Sequence, residues 1–155
     1  MYLYILKKNI IVIMIDKIIK KKKVYAIIIR SNYSNDGIEF FTPNDFSQQL
    51  AYMRRPKGYS IKPHIHINSS KTISITQEVL LIKSGKVRVD FYDDQKKYFI
   101  SKILMKGDVI LLAFGGHGFE ILEEAEIIEV KQGPYDKNKD KSKFEKDVNN
   151  KIKIS

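Results

Sequence analysis

The chain has 155 residues, 43% of them hydrophobic, and it contains no cysteine. A chain of this length and composition can bury a core in one domain, which excludes an intrinsically disordered chain. The absence of cysteine also excludes disulfide frameworks and thiolate metal sites, and it suits a cytoplasmic protein.

The formal net charge of +10 comes from the two ends of the chain. Residues 24–135 carry 14 Lys and Arg against 13 Asp and Glu, so the surplus lies in the stretch 17–23 and in the tail. Only four of the 28 basic residues are arginine, the side chain best suited to forked contacts with phosphate or guanine. We therefore predict no nucleic-acid partner.

Residues 1–23 are predicted to be an N-terminal extension. Its uninterrupted apolar run, Ile10 to Ile15, is too short to span a bilayer, and charged residues flank it closely. No small-residue cleavage site follows, so the pattern does not indicate a signal peptide. We expect a strand or short helix that docks on the domain, no membrane partner, and Met14 as an alternative translation start.

Residues 24–135 show a series of short strand patterns separated by turn signals. The stretch GKVRVDFY at 85–92 alternates between apolar and polar side chains, as a half-buried strand does. Apolar runs also occur in VYAIIIR at 24–30 and VILLAF at 109–114. Because short strands bounded by Gly, Asp and Asn turns are typical of sandwiches and barrels, we predict an all-β domain over 24–135.

The tail, residues 136–155, is polar and strongly charged. It offers little apolar surface to bury, so we expect it to be mostly disordered apart from a short turn around Phe144.

Two of the three histidines, His64 and His66, lie two residues apart in SIKPHIHI, which the pattern predicts as a strand. Side chains alternate along a strand, so both imidazoles would project from one face, where they can converge on a cation. If the chain reverses near Lys71, Glu78 becomes a cross-strand neighbour of His64. His117 follows a turn and a buried strand, so one predicted site uses every histidine.

The first half of this pattern resembles the cupins, small β-barrels of jelly-roll type. Their first motif runs Gly, five residues, His-x-His, a short gap, Glu, six residues and Gly. The matching residues here are Gly58, His64, His66, Glu78 and Gly85. The gap before Glu78 is longer than in the family, which implies an extended hairpin or lid.

The second cupin motif runs Gly, five residues, Pro-x-Gly, two residues and His. Here Gly107, Gly115 and His117 occur in that order, with Ala113 in place of the proline and a single residue before the histidine. The resemblance covers roughly residues 54–131. It implies a single cupin-type jelly-roll barrel (a double-stranded β-helix), which by resemblance we expect to form a homodimer.

The resemblance also implies a metal site made of His64, His66, Glu78 and His117. Nitrogen and oxygen ligands without sulfur suit one divalent transition metal, which would be Fe, Mn, Ni, Co or Zn. One or two positions on the ion would stay open for a small-molecule ligand or dioxygen.

Three further side chains are candidates for contacting such a ligand. Strand alternation turns one of Arg54 and Arg55 inward, where it would grip a carboxylate or phosphate. Lys62 shares the predicted face of the histidine pair, and Phe119 shares the face of His117. The plainer alternatives are a solvated Arg54, a snorkelling Lys62 and a core Phe119.

The leading hypothesis is a metal-binding cupin that acts on or binds a small polar metabolite, such as a sugar, in its cavity. If it is an enzyme, it is a metal-dependent isomerase, epimerase or oxygenase of cupin type. One alternative is a metal-independent sugar or sugar-nucleotide isomerase or epimerase in which His66 abstracts a proton. Another is a non-catalytic ligand-sensing cupin module.

Overall fold

The computed structural model describes residues 14–136, 141–146 and 152–154. Within these ranges the chain is all-β, as predicted, and it forms no helix. The strands are β1 (Ile15–Lys20), β2 (Lys23–Ile29), β3 (Gly37–Phe40), β4 (Ala51–Arg54), β5 (Glu78–Tyr92), β6 (Tyr98–Met105), β7 (Val109–Leu112) and β8 (Gly116–Lys131).

Six strands form one strongly curled antiparallel sheet, in the order β1-β2-β7-β5-β6, with β8 paired to β5. The long strand β5 is the centre of this half-barrel. Along one edge its first half pairs with β7 and its second half with β6, while β8 pairs with both halves. Both edges of β5 are therefore occupied along most of its length.

The curl depends on a bend in the middle of β5, where its register with β8 shifts three times between Ile82 and Val87. Gly85 lies in this bend with a φ of 78°. A side chain at Gly85 would collide with the backbone oxygen of Glu124. Bulges of this kind let a strand turn while its ladder continues. The same ladder can thus wrap around the core.

A cluster of apolar side chains from β1, β2, β5, β6 and β7 fills the inside of the curl. Phe91, Leu104 and Ile110 are fully buried in it. The hairpin β3-β4 forms a separate two-stranded sheet, and a second cluster, which includes Phe41 and Leu111, packs the hairpin region against β2 and β7. The inside of the half-barrel is therefore a packed core, and candidate ligand sites must be sought at its rim.

Side-chain ion pairs join β1 to the β5–β6 part of the sheet at the opposite end of the strand order. Asp16 of β1 lies 3.5 Å from Lys102 of β6, and Lys20 lies 2.7 Å from Asp93 in the β5–β6 turn. The hydrogen bond from Lys20 lowers the pKa of Asp93 to about 2. These ion pairs connect the two end strands of the sheet, β1 and β6, and so stabilise its curled shape.

The described parts of both ends of the chain contact the sheet. Residues 15–20, part of the predicted extension, form the edge strand β1 of the same sheet. Residues 141–146 and 152–154 of the tail also contact the sheet, through Phe144 and Ile154 among others. The expectations for residues 1–13, including the N-terminal apolar run, and for the rest of the tail lie outside the described residues.

Candidate functional site

Glu78 and His117 meet at the rim of the half-barrel. Glu78 is the first residue of β5, and His117 is the second residue of β8. They are not register partners, since His117 pairs with Phe91, so the curl of the sheet brings them together. His117 Nε2 lies 3.2 Å from Glu78 Oε2. Two of the four predicted ligands are thus in direct contact.

Glu78 is a buried carboxylate that stays ionised. The hydrogen bond from His117 outweighs desolvation and lowers the pKa of Glu78 to about 2, with a further contribution from the Lys141 ammonium. Lys141 Nζ lies 3.2 Å from Glu78 Oε1. The His117 ring therefore has a fixed negative charge next to its Nε2 atom. Because Nε2 donates to it, Nδ1 is the nitrogen left to accept a proton or hydrogen bond from a ligand when the ring is neutral.

A cavity of about 330 Å³ lies beside this pair, and we call it the rim cavity. The lining residues are Tyr92, His117, Gly118, Phe119, Lys141, Ser142, Lys143, Phe144 and Lys146. The ring centroids of His117 and Phe119 are 5.4 Å apart, and those of Tyr92 and Phe144 are 5.2 Å apart. The rim cavity thus combines aromatic walls with one imidazole and several ammonium groups.

His64 and His66 lie elsewhere, in the exposed segment 56–76, and the strand predicted there is wrong. The segment contains no strand, although the two rings are neighbours with centroids 5.3 Å apart. Two physical reasons apply. Pro63 cannot donate to a ladder, and β7 and β8 already occupy both edges of β5 at Glu78. Glu78 is therefore not the cross-strand neighbour of His64.

One imidazole and one ammonium group contact the carboxylate of Glu78. No three His, Asp or Glu side chains of the described ranges are grouped so that they could hold an ion. The two oxygens of Glu78 face His117 and Lys141, and the Lys141 ammonium would repel a cation. Joint coordination by His64, His66, Glu78 and His117 stays a prediction.

The three candidate ligand-contacting residues are separated in the structure. Phe119 lines the rim cavity and is 41% exposed. Arg54 ends β4 and is exposed, 3.3 Å from Asp36. The exposed Lys62 accepts a contact at its backbone carbonyl from His64 Nδ1 at 3.0 Å. Of the three, only Phe119 is brought to His117.

The sequence-based prediction missed the tail residues that form one wall of the rim cavity, above all Lys141, Phe144 and Lys146. A charged stretch with a single aromatic residue favours disorder, and nothing in its pattern indicates where it docks. The available signal was Phe144 itself, an apolar ring among lysines, which gains free energy when it is buried.

Comparisons of the chain with family models, with curated proteins and with solved structures found no match. The fold and the site define the chain as an all-β half-barrel with an aromatic, histidine-containing cavity at its rim. Across the described residues, no helix has the length and apolar character needed to cross a membrane.

Proposed function

We propose that this protein binds a small polar metabolite in the rim cavity, beside the Glu78–His117 pair. The observation that carries the proposal is a buried, ionised carboxylate that holds an imidazole at the wall of an aromatic cavity. Burying a charge is costly, and strongly shifted carboxyl groups in clefts cluster at functional sites. A purely structural role would be served as well by an apolar pair.

The size and lining of the rim cavity suggest the class of ligand. The cavity volume of about 330 Å³ lies in the range of sites for small molecules. The rings of Tyr92, Phe119 and Phe144 offer flat apolar surface, while His117 and the lysines offer partners for hydroxyl, carboxylate or phosphate oxygens. Sugars and sugar derivatives, which combine a compact ring with many oxygens, are therefore the first class to test.

The test is a panel of sugars, sugar acids and sugar phosphates, screened against the full chain by thermal shift and followed by calorimetry. We expect at least one ligand to raise the melting temperature, and His117→Ala to weaken its binding roughly tenfold or more, as loss of a charge-assisted contact does. The exposed His64→Ala is the matched control and should bind as the unmodified chain does. Equal binding by both variants would contradict the proposed site.

A second candidate function, proton-transfer catalysis, is favoured by the geometry of the same pair. A base held by a third group is the arrangement that acid–base enzymes use, and here Glu78 holds His117. His117 would take the role that the sequence analysis gave to His66. Deuterium incorporated from solvent next to the carbonyl of a bound sugar, and lost in His117→Ala, would support it. Binding without exchange would leave a sensing module.

We further propose that the half-barrel is related to the cupin barrel. The support is that a glycine of each motif has a positive φ, 78° at Gly85 in the bend of β5 and 86° at Gly107 in the turn before β7. Gly107 also approaches Ser31 closely enough that a side chain there would clash. The homodimer belongs to this proposal, and sedimentation equilibrium of the full chain tests it.

A further inference from the structure

The described tail residues contact one surface region of the half-barrel, formed by β5, β6 and β8, which we call the tail face. Residues 141–146 contact β5 and β8 through their side chains, and Ile154 forms a parallel bridge with Ser101 at the outer edge of β6. The ring of Phe144 packs edge-on against Tyr92, with centroids 5.2 Å apart. Further along, the backbone of Lys153 accepts a hydrogen bond from Ser101 of β6 at 2.8 Å. The Lys153 amide also donates to the Tyr98 hydroxyl at 2.9 Å. Both backbone and side-chain contacts therefore hold the tail.

The charges of this face match those of the tail. Lys146 Nζ lies 2.9 Å from Glu120 and 3.6 Å from the fully buried Asp90, and Lys141 pairs with Glu78. Arg88 is the cation that the face itself supplies, 2.8 Å from Asp90. The three carboxylates and this arginine leave two negative charges, which the two tail lysines neutralise.

The face also has a notch that fits an aromatic ring. Gly116 begins β8, and a Cβ atom there would lie 2.9 Å from Phe144 Cζ, too close for a real contact. Two residues along the strand, a Cβ at Gly118 would meet Tyr92 at an ordinary 3.8 Å. Neither glycine has a positive φ, so alanine suits the backbone at both. The Cβ atom at Gly116 would also lie 3.2 Å from Tyr92 Cβ, so the space at Gly116 is bounded by the ring of Phe144 and by Tyr92 of β5.

We propose that this face, made of Glu78, Asp90, Tyr92, Gly116 and Glu120, is a recognition site for basic–aromatic peptide segments. The tail of the chain is its ligand in cis. Two lysines five residues apart bracket a phenylalanine, and each of the three side chains has its own partner on the face. Because the same tail residues wall the rim cavity, release of the tail opens that cavity.

The test measures binding in trans. A fluorescent synthetic peptide with the sequence of residues 141–154 is titrated, by anisotropy, into the full chain carrying Lys141→Ala, Phe144→Ala and Lys146→Ala. This tail variant should bind the peptide roughly tenfold or more tightly than the unmodified chain, in which the tethered tail competes at high effective concentration. Equal affinity for the two chains, or no binding to the tail variant, would overturn the proposal.

Glycine variants then locate the site. Gly116→Ala, added to the tail variant, should weaken peptide binding roughly tenfold, as loss of a buried ring contact does, while Gly118→Ala should leave it unchanged. Circular dichroism and thermal melting check that each variant is folded, and the exposed substitution Glu120→Lys replaces Gly116→Ala if that variant unfolds. Equal effects at the two glycines overturn the proposal.

A scrambled peptide of the same composition distinguishes recognition from charge attraction. It should bind the tail variant roughly tenfold more weakly than the peptide of native order, because its lysines and phenylalanine no longer align with their partners. Equal binding of the two peptides would mean non-specific attraction and would overturn the proposal. No metabolite is needed for these measurements, so their failure leaves the proposed metabolite site standing.

Discussion

The sequence assigned two pairs of side chains to one site, and in the structure these pairs differ in burial and in what they contact. His64 and His66 are neighbours in the chain, and they are exposed in a segment without strands. Glu78 and His117 are far apart in the chain but in contact, on strands that the curl of the sheet brings together. The side chains of the local pair are exposed, whereas Glu78 of the distant pair is buried and its contact with His117 lowers its pKa. Only the second is held by the fold.

The largest effect should follow from breaking the Glu78–His117 pair. Glu78→Ala leaves the His117 ring without its acceptor and opens a gap at the start of β5, so we expect a loss of about 1–3 kcal/mol in the free energy of unfolding. His64→Ala, the control in the other pair, should change it by less than about 0.5 kcal/mol. Urea unfolding followed by circular dichroism measures both. Equal losses would show that the two pairs are equally structural.

The pH dependence of stability sharpens the same comparison. The pKa of Glu78 falls from 4.5 to about 2 on folding, so its contribution is complete above pH 4.5 and is lost as pH falls toward 2. The stability difference between the unmodified chain and Glu78→Gln should therefore shrink over this interval. Asp93 also has its pKa lowered to about 2, by Lys20, so Asp93→Asn serves as a reference. A difference independent of pH would contradict an ionised Glu78.

Metal uptake is the measurement that could join the two pairs. As the structure arranges the donors, we expect any Ni²⁺ or Zn²⁺ bound weakly by His64 and His66 to survive His117→Ala. Joint coordination by all four predicted ligands requires instead that His66→Ala and His117→Ala each abolish binding. Calorimetric titration of the chain without a polyhistidine tag, compared across the two variants, decides between these outcomes.

The sequence predicted which segments form strands better than it predicted how those strands pair. Alternation in GKVRVDFY identified the second half of β5, and Gly107 identified the turn before β7, whereas Gly85 lies in a bend of the continuous strand β5. The same period-two pattern in SIKPHIHI failed, because a strand needs a free edge and β5 offers none at Glu78. Alternation reports which residues can form a strand, and pairing depends on the rest of the sheet.

The candidate site was also predictable only in part, because contacts between distant segments depend on the whole sheet. The motif spacing grouped Glu78 with His117, and the structure joins them, while their role as metal ligands stays a prediction. Lys141, Phe144 and Lys146 were not predictable, since their partners lie on strands distant in the chain. A lysine-rich stretch has the same local pattern whether it docks or stays in solvent.

The sequence by itself determined the all-β class, the near-neutral body and the turn at Gly107, because these follow from side-chain periodicity, composition and local backbone sterics. Only the tertiary structure decided that β5 is paired on both edges, that Glu78 reaches His117, and that the tail lies against Tyr92. The physical reason is that edge occupancy, burial and charge pairing depend on the positions of all the strands together.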